Sequence, residues 1–377
     1  MTTQCMVGVP REVKGGEHRV AITPDGVSEL RAHGVGVLVE SGAGADSSIA
    51  DGDYAAAGAE IVAAADDVWA RAEIVMKVKE PQLEEFGRLR PGLVLFTYLH
   101  LAAYPVVADA LLEQKVTGVA YETVQLESGA LPLLAPMSEV AGRMATQIGA
   151  HFLERDYGGR GILLGGVPGV RPAHVVVLGA GNVGWNAAWI AQGMEAEVTL
   201  LDKNVDRLRF VDQIHQGRIV TLASNRGTAA RAVSEADLVV GAVLVPGGRA
   251  PVVVTEDMVR SMRRGSVIVD CAVDQGGCVE TIRETTHADP VYELDGVVHY
   301  GVGNIPAAVP HTSTYALTNA TLPYALALAT NGVAAATTVD PALAAGVNTV
   351  AGNVTNDAVG EALGRPVVAL ADALQGS

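Results

Sequence analysis

The sequence predicts an α/β protein of two domains, each a mostly parallel sheet covered by helices, with one domain inserted into the other. Three observations carry that expectation. Short β-branched runs alternate with helical patterns, the order that parallel strands and crossover helices require. The chain has 377 residues, enough for two domains of ordinary size. A strand, a glycine turn and a helix stand mid-chain in HVVVLGAGNVGWNAAWIA, between two lightly charged helical segments near 138–155 and 313–330 that would carry the chain across. The expected division is 1–132 with 308–377 for the outer domain and 133–307 for the inserted one.

In chain order, strands are expected at VGVP (7–10), GVLVE (36–40), IVMKV (74–78) and LVLFTYL (93–99), the two lysines of KVK lying on one face by strand alternation. Between the first two strands lies a helix with Thr23 as N-cap, Pro24 at its first position and Gly34 where a left-handed residue closes it. A longer amphipathic helix follows the loop LPLLAPM, from Ser138 to about Arg155. Next come HVVVL, the glycine turn with its helix, EVTLLD, and strands at LVVGAV (238–243) and SVIVD (266–270). After Asn304 the pattern is helical to the end, with a Thr-, Asn- and Ala-rich helix over 313–330. The stretch from Gly296 to Val339 has no Asp, Glu, Lys or Arg, yet Pro306, Pro310, Pro323 and many Thr and Asn interrupt it. Burial at a domain or subunit contact is expected there, not a membrane span.

Apolar residues make up 49% of the chain and charged ones 18%, the balance of a packed globular protein and not of a disordered one. The formal net charge of −16 repels phosphate backbones and anionic lipid, which argues against nucleic-acid and membrane partners. Basic residues in glycine-rich or apolar segments therefore stand out. The start, MTTQCMVGVPREVKG, lacks the apolar run of a signal peptide, so a cytoplasmic location is expected. Cys5, Cys271 and Cys278 form no C-x-x-C pair, and neither a disulfide framework nor a metal site is indicated.

Gly179, Gly181 and Gly184 spell G-x-G-x-x-G directly after VVVL and at the mouth of a helix. The first glycine permits the tight turn, the second lets a pyrophosphate approach the backbone, and the third lets helix and strand pack closely. Asp202 ends the next strand, about 20 residues on, where an acid accepts hydrogen bonds from the adenosine ribose and repels the 2′-phosphate of NADP. The inserted domain therefore reads as a Rossmann-like NAD domain.

Basic groups cluster in the first third as PREVKGGEHRV with Arg11, Lys14, His18 and Arg19, KVKEP with Lys77 and Lys79, and LFTYLHLA with His100. Several sit at strand ends, where open α/β sheets place ligands. An arginine fork suits a carboxylate, a lysine can polarise a carbonyl, and imidazole, which ordinarily titrates at about 6.5, carries protons. In VIVDCAVDQGGC, Asp270 ends a strand and Asp274 precedes a glycine pair that lets backbone approach a ligand; one of the two could be a plain turn former, and Asp274 is the better functional candidate.

With these residues in view the sequence closely resembles the alanine dehydrogenases along essentially its whole length. VGVPREVK, EHRVAITPDGV, KVKEP, LFTYLHLA, AYETVQ, LPLLAPMSEVAGR, GGVPGV, GAGNVG, GAVLVPG, DQGGC and TSTYALTNAT stand in that family's order and spacing. The resemblance implies two Rossmann-like domains with the NAD domain inserted, a homohexamer, and reversible NAD-dependent oxidative deamination of L-alanine to pyruvate and ammonia. It implies that Arg19 and Lys79 bind the substrate and that His100 and Asp274 share the acid–base work. It places Ser138, Gly179, Gly181, Asn182, Val183, Gly184, Asp202, Arg207, Ser224, Val243, Leu244, Cys271, Ala272, Val273, Asp274, Arg283, Gly303, Asn304, Ile305 and Pro306 around NAD. Ile305, where methionine is usual, and Trp185 and Trp189 on the fingerprint helix depart from the family pattern. The NAD(H)-binding portion of a proton-translocating transhydrogenase shares fold and some motifs, but a hydride-handoff domain does not require the set of Arg19, Lys79 and His100. A dehydrogenase of another small amino acid differs from this reading by only a few kcal/mol of pocket fit, roughly the value of one methyl group.

Overall fold

The computed structural model describes residues 5–243 and 250–375. The chain begins with β1 (Met6–Val9), α1 (Pro24–Ala32), β2 (Gly36–Glu40), α2 (Asp51–Ala56), β3 (Glu60–Val62), α3 (Ala65–Arg71), β4 (Ile74–Met76), β5 (Val94–Thr97), α4 (Pro105–Glu113), β6 (Thr117–Ala120) and α5 (Ala135–Phe152). It continues through β7 (His174–Leu178), α6 (Asn182–Gly193), β8 (Glu197–Asp202), α7 (Val205–His215), β9 (Val220–Ala223), α8 (Arg226–Glu235), β10 (Leu238–Gly241), α9 (Glu256–Arg260), β11 (Val267–Asp270), β12 (Val291–Leu294) and β13 (Val297–Tyr300). It ends with α10 (Pro310–Val339), α11 (Pro341–Gly346), β14 (Val347–Val350), β15 (Asn353–Val354), α12 (Asp357–Leu363) and α13 (Leu370–Gln375). Two compact units result, one of residues up to Met137 together with those from Val309 onward, the other Ser138–Ala308.

The first unit holds an eight-stranded sheet in the order β15-β14-β6-β5-β4-β1-β2-β3. Its strands run parallel from β3 to β6, and β14 and β15 are antiparallel additions at the β6 edge. Helix α1 is formed as its sequence dictates: the Thr23 hydroxyl accepts a hydrogen bond from Gly26 N at 3.3 Å, Pro24 opens the helix, and Gly34 takes φ +78° just beyond its end.

The second unit has a seven-stranded sheet ordered β12-β13-β11-β10-β7-β8-β9, parallel except for the β12–β13 pair. Both faces are covered, which the sequence shows as unbroken apolar strands. Val175 and Val177 point into a core with Ala187 and Ala191 of α6 and Leu208 and Val211 of α7. Val176 and Leu178 point the other way, into a core with Val233 of α8 and Met258 and Val259 of α9.

Three expectations are corrected. The helix expected from Ser138 begins at Ala135, because Pro136 falls in the first turn, where a missing N–H costs nothing. Strand β4 stops at Met76, so strand alternation does not govern Lys77 and Lys79, which find different surroundings. The C-terminal stretch is not wholly helical: Val347–Val350 pairs with β6, and the Thr349 hydroxyl accepts from Gly118 N and donates to Val116 O, both at 3.0 Å. A Cβ at Gly118 would come within 2.7 Å of that hydroxyl, so β14 is admitted beside β6 by a glycine 231 residues away.

Most of the uncharged stretch forms α10. This helix is the one among the described residues long and apolar enough, by length and composition, to cross a bilayer, and 28% of that window is buried within the chain. Its first half is stitched into the unit: Val20 N donates to Thr314 Oγ1 at 3.1 Å, Ser47 Oγ lies 2.9 Å from Thr314 Oγ1, and His311 Nδ1 lies 2.9 Å from Ser47 O. The path breaks at Gly332 (φ +74°, ψ 164°), and the last turns present Ala and Thr together with Val339 at 84% exposure.

Candidate active site

In the first unit Lys77, Lys79 and His100 follow the carboxyl ends of β4 and β5, and Lys14, Arg19 and Lys77 are held by carboxylates. Arg19 lies in the segment between β1 and α1 and is almost fully buried. Its Nε and Nη2 donate to the two oxygens of Glu17 at 2.6 and 2.5 Å, and Nη1 lies 2.9 Å from Met137 Sδ. Burial opposes the charge, but Glu17 more than restores it and keeps the guanidinium ionised.

Lys77 and Lys79 separate in role. Lys77 is fully buried, its ammonium 3.2 Å from Glu12 and 3.0 Å from Glu85. Glu12 in turn accepts the backbone N–H of Val78 at 2.6 Å and of Lys79 at 3.4 Å, and so fixes the loop that presents Lys79. Burial, and to a lesser extent Glu17 and Glu85, push the Glu12 carboxyl up against the opposing pull of Lys77. Lys79 is half-buried. Burial first, then Arg19 and Lys14, hold its ammonium below the ordinary lysine value. The surrounding carboxylates are engaged elsewhere, Glu80 with Lys14 at 2.5 Å, Glu17 with Arg19 and Glu12 with Lys77. Lys79 thus lies in the field of Arg19 and Lys14, whose own carboxylates are already committed, an arrangement that can attract a small anion.

His100 stands just beyond β5, half-exposed, in a left-handed conformation with φ +47°. Its ring stacks on Tyr98 at 5.7 Å with planes 2° apart, and the Tyr98 hydroxyl donates to Leu133 O at 2.6 Å. His18 pairs instead with Asp46 at the surface at 2.8 Å, and Arg11 is exposed.

In the second unit the three glycines of the turn have three separate reasons. A Cβ on Gly179, at φ +103°, would strike Ala242 O at 2.5 Å, and one on Gly184 would sit 1.7 Å from Gly179 O, inside the helix–strand contact. A Cβ on Gly181 would meet nothing nearer than Arg207 Nη1 at 4.0 Å. That open ground above the N-terminus of α6 is where a pyrophosphate would approach, so the residues fit a dinucleotide. Asn182, Val183 and Gly184 form the first turn of α6.

Asp202 closes β8 with its carboxylate on Ala180 N at 2.6 Å and Asn204 N at 2.7 Å, and with Arg207 3.9 Å away. Each oxygen keeps a second lone pair for a hydroxyl. Ser224 follows β9, its N–H bonded to Asp202 O at 2.9 Å, and Val243 follows β10. Leu244 lies outside the described residues. Asp270 is the anchor of the next loop: fully buried, it accepts from Ala272 N at 2.9 Å, Cys278 N at 2.7 Å and Val279 N at 3.0 Å. Burial raises its pKa against those hydrogen bonds. The loop it ties down carries Cys271, Ala272, Val273 and an exposed Asp274, followed by Gly276 and Gly277 at φ +90° and +73°.

Other residues of the cofactor set lie around the same sheet. Arg283 is exposed and lies over the Tyr292 ring at 4.3 Å, Gly303 and Asn304 (φ +59°) form a turn, and Ile305 and Pro306 are buried. Ser138 sits in the first turns of α5. The atypical Trp185 and Trp189 stack on one another at 5.4 Å, and the Trp185 indole donates to His215 at 3.0 Å. Sequence reasoning missed the carboxylates that hold this machinery, Glu12, Glu17 and Glu122, because a glutamate's backbone partners are distant in sequence. Only Glu17, two residues before Arg19, had a local signal.

Comparison with known proteins follows this geometry. Residues 8–141 match the profile described as alanine dehydrogenase/PNT, N-terminal domain, and residues 145–357 match the corresponding C-terminal domain. The chain belongs to the alanine dehydrogenase/PNT family. Within that family it is 57% identical over 371 residues to an alanine dehydrogenase of Bacillus subtilis, covering 98% of each chain. A solved L-alanine dehydrogenase superposes with a TM-score of 0.93 at 50% identity, covering 95% of this chain and 99% of that one. A transhydrogenase from Sinorhizobium meliloti superposes at 0.80 with 25% identity, over 94% and 99%. Both sides of the alanine dehydrogenase/PNT family thus share the fold, and sequence similarity is greater to the alanine dehydrogenase side.

Proposed function

We propose that this protein is an NAD-dependent enzyme for the reversible oxidative deamination of L-alanine to pyruvate and ammonia. The observation that carries the reading is half-buried Lys79 lying in the field of buried Arg19, the neighbouring carboxylates committed, in the same unit as an imidazole at a strand end. High identity to proteins named alanine dehydrogenase supports it. In this reading the first unit binds substrate and the second binds NAD, through Gly179–Gly184, Asp202, Arg207 and the loop of Cys271–Asp274. NAD, when bound, accepts the hydride from the substrate Cα. Arg19 and Lys79 hold the carboxylate and the carbonyl end. Hydride loss leaves an iminium, His100 takes a proton from the water that attacks it, and Asp274 relays a proton as ammonia leaves. A homohexamer, as the family resemblance implies, and a cytoplasmic location, as the start of the sequence suggests, complete the reading.

Alanine-dependent NADH formation tests the assignment. Activity with L-alanine should exceed that with glycine, serine and 2-aminobutyrate, and absence of alanine activity would sink the reading. The Lys79 environment adds a pH signature. A lysine whose folded pKa is depressed loses its charge as pH rises, sooner than the ordinary 10.5 allows. Binding of oxamate, an inert analogue of pyruvate, to the NADH-loaded enzyme should therefore weaken already below that pH. In Lys79→Met, oxamate should bind weakly and without this pH dependence; an unchanged titration would remove Lys79 from the anion site.

A further inference from the structure

Glu122 follows β6 in the short turn Tyr121–Thr123, outside every segment that sequence reasoning placed in the site. Its carboxylate reaches the end of the neighbouring strand, accepting the backbone N–H of Leu99 at 3.2 Å and of His100 at 2.6 Å. His100 holds φ +47°, a conformation unfavourable for a residue with a Cβ, so something must over-determine it. The same Glu122 oxygen that grips the His100 N–H lies 3.9 Å from its Nδ1. The opposite constraint comes from Tyr98, stacked on the imidazole and fixed by its own bond to Leu133 O. Tyr121, edge-on to Tyr98 at 5.1 Å, closes the support.

We propose that Glu122 is the positioning residue of His100, setting both its strained backbone and the charge beside its ring. This rests on the reading of His100 as the proton carrier. When the imidazole takes a proton from water it becomes a cation, and a carboxylate near Nδ1 favours that state without itself accepting the proton. The Tyr98 phenol stacked on the ring is pushed up by burial and feels Arg19, Glu122 and Glu17. Glu17 is committed to Arg19, whereas Glu122 is the carboxylate that reaches both the His100 N–H and the vicinity of its Nδ1. The arrangement explains why the half-exposed imidazole, on a loop that could flex, is aimed by two hydrogen bonds and one ring stack.

The test is kcat and KM for alanine deamination in the full-length enzyme with NAD, for wild type, Glu122→Gln, Glu122→Asp and His100→Ala, with thermal unfolding recorded for each. Glu122→Gln keeps the shape and an acceptor oxygen but removes the charge, so kcat should fall about five- to tenfold while KM for alanine stays near wild type. Glu122→Asp keeps the charge but shortens the reach, so kcat should fall there too with KM unchanged. If His100→Ala is inactive and Glu122→Gln has the wild-type kcat, or loses activity through KM alone, the proposal is overturned and the role of His100 stands. If His100→Ala turns over normally, the underlying reading fails and this proposal with it. Should Glu122→Gln not fold, Glu122→Asp still decides, since a wild-type kcat there overturns the proposal.

Discussion

Replacing His100 by alanine should cut turnover by roughly 10²–10⁴-fold while leaving NADH affinity and the unfolding transition near wild type. The size follows from the loss of a positioned base, for which bulk water is a poor substitute. The selectivity follows from placement. His100 belongs to the first unit, whereas the glycine turn, Asp202 and the Asp270-anchored loop all belong to the second. The ring is half-exposed and its ring contact in the structure is a stack on Tyr98, so its removal opens no core cavity. Steady-state kinetics with fluorescence titration of NADH checks both halves. Turnover within a few-fold of wild type would remove His100 from the chemistry; loss of NADH binding would mean that the side chain does something other than move protons.

The second large effect separates two glycines of one motif. Gly184→Ala should cost about 4 kcal/mol or more of stability, or leave the second unit unfolded. The added Cβ would lie 1.7 Å from Gly179 O and the neighbouring obstacles are backbone, which cannot rotate away. Gly181→Ala should fold like wild type, because its Cβ meets only the tip of Arg207 at 4.0 Å. It should nevertheless weaken NADH binding at least about tenfold, a change of roughly 1.4 kcal/mol, since the methyl fills the ground a pyrophosphate would take. Urea unfolding and NADH titration of the pair give the answer. Equal stability losses, or normal NADH binding by Gly181→Ala, would show that the open ground above α6 is not the phosphate site.

The carboxylates that organise the site share one habit. Glu12 grips the N–H groups of Val78 and Lys79, Glu122 those of Leu99 and His100, Asp202 that of Ala180, and Asp270 those of Ala272, Cys278 and Val279. In each case a strand ends, the ladder stops satisfying backbone donors, and an anionic side chain takes over where the functional loop begins. An acidic protein with a net charge of −16 carries part of that charge as internal fasteners and not as surface.

How much of this was legible in advance depends on how far apart the interacting residues lie. The α1 cap at Thr23, the glycine turn and the buried strands of the second unit are written in neighbouring residues, and the sequence predicts them to within a few positions. The two KVK lysines look alike in sequence, yet Lys77 is locked between Glu12 and Glu85 while Lys79 lies half-buried in the field of Arg19 and Lys14. The glycine pair after Asp274 already favours it over Asp270 in the sequence, but only the fold shows what Asp270 does: it is fully buried with three backbone donors, whereas Asp274 is exposed. The strand Val347–Val350 was hidden for the same reason, its partner being β6.

The sequence by itself determined the α/β class, the dinucleotide turn with its acid at the end of the next strand, and the basic residues from which an anion site could be built. Those features depend on local backbone preference and on periodicity, and both act over a few residues. The tertiary structure decided which cations are spent on internal ion pairs, which acids hold the backbone, and how His100 is aimed. Each of those outcomes is a competition for hydrogen-bond partners among groups that only folding brings within 3–4 Å, where burial makes every unpaired charge costly.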